Sequence, residues 1–127
     1  MTEIKVALAG LGRVGSRFFW RLLEKDGDGV KVVAVADRHP DPEIREEVSQ
    51  RGIRWYRDAV EMVKAEPFVD IVFDLTGSPE TRRRMRETLF TSGNRHTILA
   101  PEIVAFLIWT FVGEEAALPQ VHASRGY

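Results

Sequence analysis

Three short segments of this sequence carry residue types whose spacing suits chemistry. Gly10-Leu11-Gly12-Arg13-Val14-Gly15 spaces its glycines as G-x-G-x-x-G; Asp37 closes a run of apolar residues; Asp74-Leu75-Thr76-Gly77-Ser78-Pro79 follows another. A loop of the first kind serves a phosphate-bearing ligand when it joins a strand to a helix. Gly10 permits the tight turn, Gly12 leaves the backbone bare for a pyrophosphate, and Gly15 lets the helix pack on the strand. The amides of residues 11–15 and the positive end of the helix dipole then face the phosphates. A carboxylate at the end of the next strand, here Asp37, accepts both hydroxyls of an adenosine ribose and repels a 2′-phosphate. The pair of motifs points to a dinucleotide, with NAD preferred. Arg38 keeps NADP open, because an arginine there pairs with a 2′-phosphate or stacks on adenine, unless it is a solvated loop residue. Thr76, Gly77 and Ser78 are expected to line the nicotinamide-side ribose. The same turn also reads as a helix cap, and both roles are compatible.

These segments need strands and helices to hold them, and the apolar pattern supplies both. Residues 4–9, 30–36, 53–56, 69–75 and 96–100 read as strands. Helical spacing covers 14–25, 43–51, 59–65, 79–91 and 101 to about 118. Asp58 is the expected N-cap of the third helix and Ser78, followed by Pro79, that of the fourth. Strands alternating with helices make a doubly wound α/β fold with a parallel sheet covered on both faces. Right-handed crossovers and a glycine turn after the first strand predict the Rossmann-like strand order 3-2-1-4-5. Residues 1–118 are expected to form one dinucleotide-binding domain, with 119–127 as a tail.

Composition excludes several alternatives. The 127 residues are 44% hydrophobic and 29% charged, as in a globular domain rather than a disordered chain. The net charge of −1 gives no support for nucleic-acid binding through overall charge. The absence of cysteine removes disulfides, thiolate catalysis and Cys-ligated zinc, and fits a reducing, cytoplasmic compartment. The apolar run 103–112 is too short to span a bilayer, so no membrane partner is expected. A catalytic base is not evident. His39 falls on the adenosine side, His96 at the amino edge of the sheet and His122 in the tail. No metal-binding spacing is present. The run Arg82-Arg83-Arg84-Met85-Arg86 around a buried Met85 reads as a solvated face balanced by Glu80 and Glu87, with an anion site beside the cofactor crevice as the alternative.

Residues 4–15, 33–40 and 69–79 make the chain resemble the cofactor-binding half of Gfo/Idh/MocA-type oxidoreductases. It is also similar to the N-terminal domain of homoserine and aspartate dehydrogenases. The resemblance implies a nicotinamide cofactor held by Gly10, Gly12, Gly15 and Asp37, with Thr76 and Gly77 nearby. Two features depart from it. Where Gfo/Idh/MocA enzymes carry Glu-Lys-Pro after the fifth strand, this chain reads Leu99-Ala100-Pro101-Glu102. Those enzymes also carry a C-terminal domain that supplies the substrate site; the 127 residues, whether a whole protein or a fragment of a longer one, are expected to lack it. Similar lone modules front bacterial sensor proteins.

The last helix is apolar on every side over 103–112, and Trp20 falls outside the apolar arc of the first helix. Large exposed apolar surface marks interfaces. A homodimer, or contact with a missing domain, is therefore expected through the last helix, with Phe106 and Trp109 central. The leading functional expectation is a non-catalytic NAD(P)-binding or sensing module. The alternatives are half of a dehydrogenase that needs a further domain, or an assembly domain that has lost its ligand.

Overall fold

The computed structural model describes residues 3–111. The expected tail at 119–127, His122 and the last helix beyond Phe111 lie outside the described residues. Strands β1 (Ile4–Ala9), β2 (Val30–Ala36), β3 (Arg54–Tyr56), β4 (Ile71–Asp74) and β5 (Ile98–Ala100) alternate with helices α1 (Arg13–Leu23), α2 (Pro42–Gln50), α3 (Ala59–Ala65), α4 (Pro79–Thr91) and α5 (Glu102–Phe111). The strands form one parallel sheet in the order β3-β2-β1-β4-β5, as the glycine turn predicted. β1 sits at the centre, with Ala9 in register with Ala36 on one side and Asp74 on the other. This places the ends of β1, β2 and β4 at one carboxyl edge, where the sheet reverses its winding direction.

Both faces of the sheet are covered. On one face Val6, Leu8, Val32, Val35 and Phe73 pack under α1, α2 and α5. On the other, Ala7, Ala9, Ala34, Ala36 and Val72 meet α3 and α4 through Met62, Val63, Met85 and Leu89. The alanines on that second face let the backbones of α3 and α4 come close to the sheet. Phe18 and Phe73 meet edge to face at 5.0 Å, fixing α1 over β4.

Two strands are shorter than their apolar runs. The Val69 N–H turns back to the Glu66 carbonyl, and β4 begins only at Ile71. The Asn94 side chain accepts the N–H groups of His96 (2.8 Å) and Thr97 (2.9 Å), so β5 begins at Ile98. A side chain that bonds nearby backbone competes with the ladder.

The last helix corrects the sequence reading. Trp109, expected at the centre of an exposed face, is turned inward: it is 8% exposed and packs into the core with Ala105, four residues before it. Phe106 is half-buried against the same core. The exposed stripe is instead Ile103, Leu107 and Phe111, four residues apart along the opposite side. Trp20 is 39% exposed, as its position on α1 suggested.

Candidate functional site

The glycine loop shows what each glycine does. Gly10 has φ +98°, and a Cβ on it would stand 2.8 Å from the Leu75 carbonyl oxygen. It is glycine for the turn and for the close pass of the β4 end. A Cβ on Gly15 would lie 2.1 Å from the Gly10 carbonyl oxygen, so this glycine lets α1 start against its own loop. Gly12 differs. Its φ is −72°, which any residue adopts, and a Cβ there would meet nothing within 4 Å. Neither the backbone conformation nor the packing requires a glycine at position 12, which opens onto free space.

That space is a cleft of about 340 Å³ at the carboxyl edge. Gly10 and Gly12 form its floor, Ala36, Asp37 and Arg38 one wall, and Leu75 and Thr76 the other. Gly12 is the N-cap of α1, with no side chain to cap it. The first amide bonded back to it is that of Ser16, at 2.8 Å, so the amides of Arg13, Val14 and Gly15 precede the helical ladder. The Leu11 amide is used within the protein: it donates to Asp37 Oδ2 at 2.6 Å. Leu11 and Val14 side chains are buried, and that of Arg13 is exposed.

Asp37 is held at four points. Its N–H donates to the Tyr56 carbonyl (3.0 Å), and its own carbonyl accepts from Trp55 Nε1 (3.0 Å). Its carboxylate takes the Leu11 amide on Oδ2 and the His39 amide, at 2.9 Å, on Oδ1. A carboxylate has about four acceptor sites, so both oxygens retain capacity for ribose hydroxyls. Trp55, which orients Asp37, is itself covered by the Arg45 guanidinium 4.7 Å from its ring centre.

The β4–α4 turn is internally bonded. Asp74 Oδ1 accepts both the amide (3.1 Å) and the hydroxyl (2.7 Å) of Thr76, and Thr76 Oγ1 accepts the Ser78 amide. The Ser78 hydroxyl caps α4 by accepting the Thr81 amide at 3.1 Å. Thr76 lines the cleft, whereas Gly77 and Ser78 stand outside its lining, with Gly77 at φ +67° shaping the turn.

The cleft also gathers residues beyond those read as cofactor-binding, among them one arginine of the run for which an anion site beside the crevice was the alternative. Arg57 and Asp58 reach it from the β3–α3 loop, and Thr81 and Arg84 from α4. The arginine run on α4 therefore divides by position. Arg82 is buried, with Nε 3.9 Å from Asp74 Oδ2. Arg83 lies outside, bridging Glu80 (2.7 Å) and Glu87 (2.9 Å), as the solvated-face reading predicted. Arg84 faces the cleft.

Away from this edge, His96 pairs with Asp70 at 2.7 Å at the amino end of the sheet. There the Lys5 amide, and next to it His96, hold the Asp70 carboxyl below its ordinary value. Glu66 is 8% exposed and receives hydrogen bonds from the Arg54 guanidinium and the Tyr56 hydroxyl. Burial alone pushes Glu66 up, but those bonds outweigh it and hold the carboxyl below the usual range. Burial and the bond to Glu66 push the Tyr56 phenol up. Among the described residues no acidic or histidine cluster could hold a metal ion, and no helix is long and apolar enough to cross a membrane.

No protein-family model matches the chain. It is 32% identical over 84 residues to acetaldehyde dehydrogenase of Chloroflexus aurantiacus, matching 66% of this chain and 27% of that protein. The corresponding enzyme of Chloroflexus aggregans is 31% identical over the same length. The chain thus spans about a quarter of the curated relatives it matches. Among solved structures, homoserine dehydrogenase of S. aureus superposes with a TM-score of 0.55 at 20% identity, over 91% of this chain and 31% of that one. The WlbA dehydrogenase of Bordetella pertussis, solved with NADH and UDP-GlcNAcA, gives 0.54 at 21% identity, over 77% and 29%. The homoserine dehydrogenase resemblance read from residues 4–15, 33–40 and 69–79 holds in the fold, and the chain has the Rossmann-like α/β fold found in these dehydrogenases.

Proposed function

We propose that the chain binds a nicotinamide dinucleotide, with the pyrophosphate over Gly10–Gly15 and the adenosine ribose on Asp37. The observation that carries this reading is Gly12. It is the one residue of the loop whose missing side chain serves neither backbone conformation nor internal packing, and it opens onto the cleft. The amides at the start of α1 and the two Asp37 oxygens supply the polar partners. Two structural neighbours, WlbA solved with NADH and GenD2 of gentamicin A biosynthesis solved with NAD, support the same reading. When bound, a nicotinamide supplies a hydride acceptor or donor.

Among the described residues the cleft lining includes no histidine, and its two aspartates each accept backbone amides. We therefore read the chain as a cofactor-binding or sensing module that does not turn over dehydrogenase substrates by itself. The second reading, part of a dehydrogenase that needs further polypeptide, is favoured by the matched stretch being 27–31% of the relatives. In either reading the stripe of Ile103, Leu107 and Phe111, with Ile98 on the same face of the sheet, is the surface for a second copy or a further domain. Calorimetry against NAD, NADH, NADP and NADPH tests the proposal. Saturable binding to at least one supports it, and no heat from any at millimolar concentration overturns it. An NADH signal from purified protein with a small hydroxy acid, amino acid or sugar overturns the non-catalytic reading.

A further inference from the structure

We propose that Trp55 is a positioning residue for the dinucleotide site: its indole N–H fixes Asp37 from outside the cleft, so that ribose binding depends on a side chain the ligand does not meet. The proposal rests on the dinucleotide reading above and names what holds its ribose-binding carboxylate in place. Trp55 does not line the cleft. Its ring is half-buried against the core on the side of the sheet that carries α2, and its Nε1 donates to the Asp37 carbonyl at 3.0 Å.

Asp37 needs such a hold because of where it stands in the sheet. The β2–β3 ladder ends with Ala36 in register with Tyr56, and Asp37 is the first residue beyond it. Its amide still reaches the Tyr56 carbonyl at 3.0 Å. After Tyr56 the chain leaves the sheet for Asp58, the cap of α3, and the indole supplies the donor for the Asp37 carbonyl. Both backbone groups of Asp37 are thus tied to β3. From that fixed backbone the carboxylate reaches the glycine loop, where Oδ2 accepts the Leu11 amide at 2.6 Å, while Oδ1 accepts the His39 amide at 2.9 Å. A binding side chain must be held within about 0.5 Å of its working geometry, and residues behind the site supply that hold. The carboxylate's own partners are less firmly anchored: Leu11 lies in the loop that faces the ligand, and His39 is exposed. The indole packs against the core and is covered by the Arg45 guanidinium 4.7 Å from its ring centre.

The test uses the isotope-labelled full chain, with NAD affinity from calorimetry, amide resonances from the ligand-free protein and melting curves to confirm folding. Trp55→Phe keeps an aromatic ring beneath Arg45 and removes the N–H. Replacing the indole by benzothiophene, which has nearly the same shape, removes the N–H alone and decides the matter if the phenylalanine variant does not fold. Loss of one hydrogen bond corresponds to about a three- to tenfold change in affinity, and each folded variant should bind NAD that much more weakly. The Leu11 and His39 amide resonances should also move in the ligand-free chain, because both amides are bonded to the Asp37 carboxylate and not to Trp55. A packing role alone lowers Tm and leaves those two amides where they are in the benzothiophene variant. Unmoved amides in that variant, or NAD affinity within twofold of the wild type, overturn the proposal and leave the dinucleotide reading standing. A wild type that binds none of the four dinucleotides overturns both.

Discussion

Alanine placed at Gly12 and at Gly15, one at a time, should separate ligand binding from folding. At Gly15 the new Cβ would stand 2.1 Å from the Gly10 carbonyl oxygen and 2.9 Å from its carbon. Carbon–oxygen contacts settle at about 3.3 Å or beyond, so about 1 Å must open between α1 and the end of β1. Gly10 cannot yield readily: its N–H is bonded to the Ala36 carbonyl at 2.8 Å, and it is closely flanked by Leu75. Overpacking costs about 1–3 kcal/mol, and more where backbone meets backbone. Gly15→Ala should therefore lose about 3 kcal/mol or more, a fall in Tm of about 10 °C. At Gly12 the Cβ enters open space at an ordinary φ, and exchanging one helix-cap residue for a poorer one costs about 0.5–1 kcal/mol. That same Cβ occupies the pyrophosphate's approach, so NAD affinity should fall at least about tenfold, or 1.4 kcal/mol. Urea unfolding with calorimetry reads both effects. Gly12→Ala binding NAD within twofold of the wild type refutes the pyrophosphate placement. A wild-type melting curve for Gly15→Ala refutes the packing argument.

Asp37→Ala removes the acceptor for the Leu11 amide as well as for the ribose, so it should loosen the loop and weaken both cofactors, but NAD by about tenfold more than NADP; equal losses by calorimetry would remove Asp37 as the ribose ligand. Glu66→Gln should cost about 1–2 kcal/mol at neutral pH in urea unfolding, since its Arg54 partner is half exposed. Because the folded Glu66 carboxyl is held low, its stabilisation is present above the unfolded value of about 4.3 and disappears as pH falls through the lower folded value. The wild type should thus lose stability more steeply than Glu66→Gln in that acid window, and identical pH profiles would refute the assignment. Tyr56, held high, contributes below its unfolded value of about 10, and that contribution is lost as pH rises through the folded one. Leu107→Glu should convert a dimer to a monomer in light scattering while the chain stays folded, with a Tm that no longer rises with protein concentration, whereas a wild-type monomer at high concentration removes the second copy as the occupant of that face.

The glycine spacing and the position of Asp37 were enough to read the sheet order, because a strand, a glycine turn and a helix admit few parallel arrangements. The cleft wall formed by Arg57 and Asp58 was not assigned, although the order β3-β2-β1 implies it: the residues after Tyr56 must emerge beside Asp37. The phase of α5 was not legible. With Ile103, Phe106, Leu107, Trp109 and Phe111 all apolar, hydrophobicity does not say which side faces the sheet; the packing of Ala105 and Trp109 against the core decides it. The arginine run hid three different environments for a similar reason. Residues 82, 83 and 84 step about 100° apart around the helix, so identical side chains meet the interior, the solvent and the cleft.

Amide chemical-shift mapping of the labelled chain on titration with NAD tests both that the dinucleotide binds and where. The account predicts saturable shifts at Gly10, Leu11, Gly12, Asp37 and Thr76, and none at Lys31 or Phe68 at the amino edge of the sheet. Shifts confined to the amino edge, or no saturable shift at millimolar NAD, would contradict it.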